Sequence, residues 1–291
     1  MSRYKKWTEN NYERIKVLKK EDLFDKHLLD DIKKGIVFPA VRGGKIDFYH
    51  LGRKLFSFDG RSFKSNVKYL LVLDQNTSGE VTEKKLKTLK VCDSFVVAYQ
   101  QIKKNTKLYV DPESKQVSKV CKGHSYCCDE TGPIVVLDIE LSLTAQDEDR
   151  TADRIDLILL NTKTNQIRFF EVKTYKNKEL KEVKGNIPVI NQVGRYKAQL
   201  AGRYNYLLRS YQEYVEIINI LFGIKIPQPK SIDLDVDLLI FHFNSSEEKK
   251  LEKEILPTFD NEFRVSKRGD AGGLNQGTLQ KWWKKDAVSS S

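Results

Sequence analysis

A chain of 291 residues with 40% hydrophobic content holds one large domain or one domain with an appendage. No run approaches the roughly 20 apolar residues of a membrane helix, and the polar N-terminus is unlike a secretory signal. The formal charge of +11 points to a polyanion such as nucleic acid, although Lys-rich surfaces also serve solubility.

The charge is unevenly spread. Residues 1–75 carry +7, 76–133 carry +3, 134–173 carry −3, 174–230 carry +6 and 231–291 carry −2. An acidic island thus lies between basic flanks. Four cysteines are too sparse for a disulfide scaffold, so a soluble, cytoplasmic protein with no membrane association is expected.

In chain order, residues 8–34 read as a helix, with Thr8 as its N-cap and Gly35 as its stop. The runs IVFPAV, KIDFYHL and RKLFSFD follow, separated by Gly-rich turns, and suggest a small antiparallel meander. Residues 1–75 form a smaller α+β N-terminal subdomain in this reading. A second helix is expected over 80–104, where Leu86, Leu89, Cys92, Val96 and Tyr99 recur at helical spacing. Residues 105–133 read as irregular. IVVLDIELSLT (134–144), RIDLILL and IRFFEVK then read as three strands, the last two joined by a turn over 161–166.

The clearest helix starts at Pro188, with Asn186 as its cap, and carries one apolar stripe from Val189 to Ile218. Gly194 and Gly202 inside it cost about 1 kcal/mol each relative to Ala and are explained if another backbone approaches there. VDLLIFHF is a last strand, and a charged helix and Gly-rich tail complete the chain. The expected architecture is α/β, with a core domain over 76–245 and a C-terminal helix and tail over 246–291.

The stretch RIDLILLNTKTNQIRFFEVKTY places acid inside what reads as a core hairpin. Strand alternation puts Glu171 and Lys173 on one face, with Val172 opposite. If the pairing sets Asp156 beside Glu171, two buried carboxylates converge, and both cannot ionise cheaply. A hard divalent cation resolves that conflict. Asp156, Glu171 and the Val172 carbonyl are the candidate ligands for Mg²⁺ (or Mn²⁺). Lys173 is placed to orient or deprotonate an attacking water, or to stabilise a phosphoryl transition state. A charged strand end with a salt bridge is the plainer alternative.

Asp156, separated by fourteen intervening residues from Glu171-Val172-Lys173, makes a pattern that resembles the PD-(D/E)XK nuclease superfamily. Ile155 stands where that family usually has Pro, a departure shared by its RecB-like branch. Gln192-Val193-Gly194-Arg195-Tyr196 is similar to that branch's Gln-x-x-x-Tyr motif. The resemblance covers roughly 160 residues and implies a restriction-endonuclease-like core, with a mixed central sheet flanked by helices. It also implies metal-dependent hydrolysis of DNA, with RNA as a second candidate substrate, and a role for Gln192 and Tyr196 at the metal site or the substrate phosphate. Tyr196 on the apolar stripe is equally readable as core. Arg195, Lys197 and Arg203 are candidate phosphate contacts or a solvated helix face. A binding module that has this fold without turnover is the alternative function. Glu83 and Glu140 are candidates for a further acid.

Cys121, His124, Cys127 and Cys128 are spaced for zinc or are simple loop thiols. No cysteine follows residue 128, so the iron–sulfur cluster of some RecB-like members is not expected. Asp233, Asp235 and Asp237 alternate as an exposed strand face would, and His242 reads as a core histidine. Lys281-Trp282-Trp283-Lys284-Lys285 suits base stacking or a terminal helix anchored by tryptophan. Val41-Arg42-Gly43-Gly44-Lys45-Ile46 lacks the Walker spacing.

Overall fold

The computed structural model describes residues 3–70, 79–88, 92–128, 132–143, 153–259 and 262–284. The protein is α/β, and the described residues form two five-stranded sheets flanked by helices. It divides into two compact units. The first comprises Met1–Lys122, Cys127–Asp129 and Ser210–Ile226; the second comprises Gly123–Tyr126, Glu130–Arg209 and Pro227–Ser291. The expected boundaries near 75 and 245 are therefore displaced. Among the described residues, no helix is long and apolar enough to cross a membrane.

The first unit opens with short helices, α1 (Lys5–Thr8), α2 (Glu13–Lys20) and α3 (Leu29–Lys33), the last preceded by a π-turn at Phe24–Leu28. The expected continuous helix over 8–34 is broken. Asn10, Asn11 and Tyr12 all adopt positive φ, and Asn tolerates that region better than most residues. Thr8 ends α1 instead of capping a helix. Gly35 does stop α3: at φ +65° its N–H bonds the Ile32 carbonyl, while the Ile36 N–H bonds that of Asp31.

The predicted meander is present and longer than expected. Strands β1 (Val37–Val41), β2 (Ile46–His50), β3 (Arg53–Phe58), β4 (Phe63–Asn66) and β5 (Glu80–Thr82) pair antiparallel in chain order. The two-residue turn Leu51-Gly52, both at positive φ, joins β2 to β3. Because β5 closes this sheet, residues expected in the second domain belong to the first. Helices α4 (Glu83–Thr88) and α5 (Phe95–Thr106) replace the single helix over 80–104, and Leu89 of its predicted stripe lies outside the described residues. Ser94 ends the run by capping α5, its Oγ accepting the Val97 N–H. Tyr99 of α5 stacks on Phe56 of β3.

Helix α6 (Pro112–His124) occupies a region expected to be irregular. Its start was encoded: Asp111 accepts the Ser114 N–H at 2.8 Å and Pro112 sits at the first helical position.

The sheet of the second unit is mixed, as expected. Strands β6 (Ile134–Ser142), β7 (Arg154–Asn161) and β8 (Gln166–Thr174) are antiparallel neighbours. After α7 (Pro188–Ala201) and α8 (Tyr204–Phe222), β9 (Ser231–Phe241) pairs parallel with β8. Thr144 of the first predicted strand lies outside the described residues. The predicted long helix is split, because Gly202 closes α7 before α8 begins. A Cβ at Gly194 would meet nothing within 4 Å, and one at Gly202 only the Ala198 carbonyl at 3.7 Å, so close backbone approach explains neither. Ile187 holds the N-cap position of α7, and Asn186 instead accepts the Asn191 side-chain N–H.

The tail folds as well. α9 (Ser245–Lys250) begins with a capping box, β10 (Val265–Arg268) adds parallel to β9, and α10 (Gln276–Lys284) follows. Trp282 is buried, and Trp283 donates to Gln166 Oε1 at 3.0 Å, so this is a helix anchored by tryptophan. Lys285 lies outside the described residues. His242 is exposed at φ +64°, just past the end of β9, not a core histidine.

Gly35→Ala tests the first unit. A Cβ there would lie 2.6 Å from the Lys122 carbonyl oxygen, at a φ that alanine resists. Chemical denaturation is expected to show a loss of more than about 1 kcal/mol.

Candidate active site

The hairpin of β7 and β8 is set by its turn. Asn161 Oδ1 accepts the N–H groups of Lys163 and Thr164, and Asn165 takes a left-handed φ of 55°. From there the ladder runs to Leu157 opposite Phe170, and then stops. Strand β8 continues with β9 alone, Glu171 opposite Leu238 and Lys173 opposite Ile240. Asp156 and Glu171 are the first residues beyond the last paired step. The Val172 N–H donates to Asp156 Oδ2 at 2.8 Å, so a side chain satisfies the backbone donor.

Glu171 and Lys173 are 2% and 4% exposed, which is rare for such residues unless paired. Lys173 Nζ lies 2.7 Å from Glu171 Oε1 and 2.5 Å from Glu179 Oε2. Burial works against the Lys173 charge, but the Glu171 and Glu179 carboxylates outweigh it and hold the amine well above its ordinary pKa. Lys173 is therefore an ammonium. Asp156 goes the other way for a carboxyl: burial, then the Glu171 carboxylate, raises its pKa.

A third carboxylate belongs to this group. Ile139 faces Leu157 and Leu141 faces Ile155, which sets Glu140 across from Asp156. Glu140 also raises the Asp156 pKa, pairs with Arg154 at 2.9 Å, and sits at φ +54° inside a strand. That conformation is strained for a glutamate. Glu83, the other candidate, instead accepts the Phe95 N–H at the start of α5.

Helix α7 supports the site from its apolar face. Tyr196 is buried, donates to the Arg154 carbonyl at 2.8 Å, and accepts from Gln192 Nε2 at 2.6 Å. This pair fixes the start of β7 and thereby Asp156, two residues on. Gln192 Oε1 is buried and has no hydrogen-bond partner among the described residues.

The cations expected to meet phosphate are engaged within the unit. Arg195 reaches Asp153 through Nε and a terminal nitrogen at 3.4 and 3.2 Å, and Lys197 pairs with Asp235 at 2.6 Å. Arg203 donates to Gln199 Oε1 at 3.4 Å, and Gln199 in turn holds Asp153. Nor is the Asp233, Asp235 and Asp237 row a solvated face. Asp237 is buried, Arg264 pairs with all three, and Arg168 pairs with Asp233 beneath the Trp283 ring.

The cysteine motif gathers no metal cage. Cys121 and His124 lie on α6, the four thiols form no disulfide, and Gln276 donates to His124 Nδ1 while His124 Nε2 meets the Leu274 carbonyl. No cluster of three or more His, Cys, Asp or Glu side chains arranged for a metal occurs among the described residues.

Two carboxylates are fewer than such a cluster needs, but they are within what one class of cation uses. Mg²⁺ commonly takes one or two carboxylates and fills its remaining positions with water and substrate phosphate. Asp156 and Glu171 are the carboxylates that could hold such an ion, and their mutual repulsion is the conflict it would relieve.

Comparison with protein-family models, curated proteins and solved structures returned no match.

The site makes a prediction about stability. A carboxyl with a raised folded-state pKa favours folding when protonated, so its contribution is lost as pH rises from the ordinary 3.8 through the raised value. Asp156→Asn should flatten this loss and raise the metal-free melting temperature at pH 8. Millimolar Mg²⁺ should raise that of the wild type and leave the variant unmoved. Thermal melts at pH 5 and pH 8, with and without Mg²⁺, check both.

Proposed function

We propose that the second unit is a metal-dependent nuclease core of the PD-(D/E)XK type, RecB-like in its motifs, that hydrolyses phosphodiester bonds in DNA. The observation that carries this reading is the placement of Asp156 and Glu171 at the point where β7 and β8 part, with the buried Lys173 ammonium beside them. The mixed strand order and the Gln192–Tyr196 support on the following helix agree with it.

Asp156, Glu171 and the Val172 carbonyl would hold Mg²⁺ or Mn²⁺. Bound there, the ion would lower the pKa of a water and screen charge developing on a phosphoryl oxygen. Lys173, held protonated by two carboxylates, serves better as a fixed positive charge than as a base. Its ammonium would stabilise the phosphoryl oxygens of the transition state. Glu171 has two roles, ligand and partner of Lys173. Tyr196 and Gln192 act one step back, by holding the backbone that carries Asp156.

A second reading has an observation of its own. Asp156 and Glu171 each have an oxygen engaged by the protein, and Lys173 is locked between two acids. A nucleic-acid-binding module without turnover would tolerate that state permanently.

Incubation with a plasmid and with a single-stranded oligonucleotide separates the two. Cleavage that needs Mg²⁺ or Mn²⁺, stops in EDTA and is not supported by Ca²⁺ is expected. Lys173→Ala should lower kcat roughly 10²- to 10³-fold, the range for removing one transition-state charge stabiliser. Lys173→Arg should fail too, because a planar guanidinium does not fit where a compact ammonium contacts two acids. A near wild-type rate for Lys173→Ala would reduce the triplet to a structural ion pair.

A further inference from the structure

The two units differ sharply in charge. The first carries 28 basic and 18 acidic side chains, a net +10, and the second is close to neutral at +1. Nothing in the proposed chemistry uses that excess.

One part of the first unit combines charge with exposed aromatic and apolar surface. Two 3₁₀ turns, Val67–Tyr69 and Lys107–Tyr109, lie side by side. They are fastened by Asn105 Nδ2 to the Tyr69 carbonyl at 2.7 Å, by Tyr109 Oη to the Lys68 carbonyl at 3.3 Å, and by an edge-on contact of the Tyr69 and Tyr109 rings. Leu108 is 72% exposed and Tyr109 is 38% exposed. The Lys68 ammonium lies 4.9 Å from the centre of the Tyr109 ring and 5.0 Å from that of Tyr69. Lys104 and Lys107 are exposed on the same chain segment. Arg53 is close enough to act on Lys68: burial, then the Arg53 charge, lowers the Lys68 pKa. Asp111 offsets part of this charge by pairing with Arg53.

We infer that Tyr109 and Leu108, with Lys68 and Lys107 beside them, form a platform for an unpaired nucleotide of single-stranded nucleic acid. An exposed ring stacks on a base only when that base is out of the duplex, and neighbouring cations take its phosphates. Protein interfaces are depleted in lysine at their cores, so a lysine-set tyrosine suits a polyanion better than an apolar protein surface. The hydrogen bonds between the two turns fix the ring before any ligand arrives, which limits the entropy lost on binding. This deepens the nuclease reading by giving its substrate a single-stranded segment, but the platform itself is independent of turnover.

The test uses the full chain in EDTA and fluorescence anisotropy, with a labelled 20-mer of oligo-dT and a duplex of equal length as probes. Tighter binding of the single strand is expected. Tyr109→Ala should weaken it roughly 5- to 100-fold, Tyr109→Trp should retain it, and Lys68→Gln should reduce the salt slope by about 0.7. Leu108→Glu changes a side chain that is largely in solvent and should weaken binding without altering the melting temperature. That variant guards against a misfolded Tyr109→Ala. Unchanged oligo-dT affinity in Tyr109→Ala and Leu108→Glu overturns the inference, and so does an equal loss on duplex and single strand. No oligonucleotide binding at all would overturn it as well. Tyrosine-dependent binding without Mg²⁺-dependent cleavage would uphold the platform and sink the nuclease. Cleavage with a KM indifferent to Tyr109→Ala would do the reverse.

Discussion

Beyond the Leu157–Phe170 pair, β7 and β8 no longer share ladder hydrogen bonds, and the Val172 N–H turns to the Asp156 carboxylate. The arrangement of the site follows from that parting. Strand β8 keeps its shape because β9 holds it from the other side through Thr174. Glu171 and Lys173 therefore stay two residues apart on one face, close enough to pair. Asp156 is held from both directions, by the backbone it caps and by the Tyr196 bond to Arg154. Burying several ionisable groups this near one another is costly in general, and breaking one pair leaves an unmatched charge. The site is thus a set of mutually dependent groups whose protonation and geometry shift together.

Local chemistry made the hairpin legible. Alternation over 154–161 and 166–174, with an Asn-rich turn between them, fixes which side chains share a face, and the approach of Asp156 to Glu171 follows from pairing across that turn. The N-terminal meander was readable for the same reason. Contacts between residues distant in sequence were not. Glu179 reaches Lys173 only because the chain reverses after Thr174 through a 3₁₀ turn capped by Asn177. The ion pairs of Arg195 and Lys197 depend on where Asp153 and Asp235 come to rest. A periodic pattern also hides interruptions: the apolar stripe from Val189 to Ile218 passes straight over the end of α7 at Gly202. The start of α6 is different, since Asp111-Pro112 is a local helix-start signal that the reading of 105–133 as irregular did not use.

The two units differ in how they carry charge. The second is close to neutral overall and pairs its buried charges internally, Lys173 with Glu171 and Glu179, and Arg168 and Arg264 with the β9 aspartates. The first carries a net charge of +10, which in general attracts anions. Such attraction acts before contact and falls with salt, whereas pairs inside the acidic site are screened far less.

The backbone at Glu140 has a consequence for how this protein changes over generations. A glutamate at φ +54° in a strand is a poor conformational choice, and glycine or asparagine would relieve the strain there. Stability alone would thus drive position 140 away from an acid. Among descendants of this sequence, a carboxylate retained there against that drift would mark selection for its charge opposite Asp156, and replacement by glycine would mark a lineage in which that charge had lost its use.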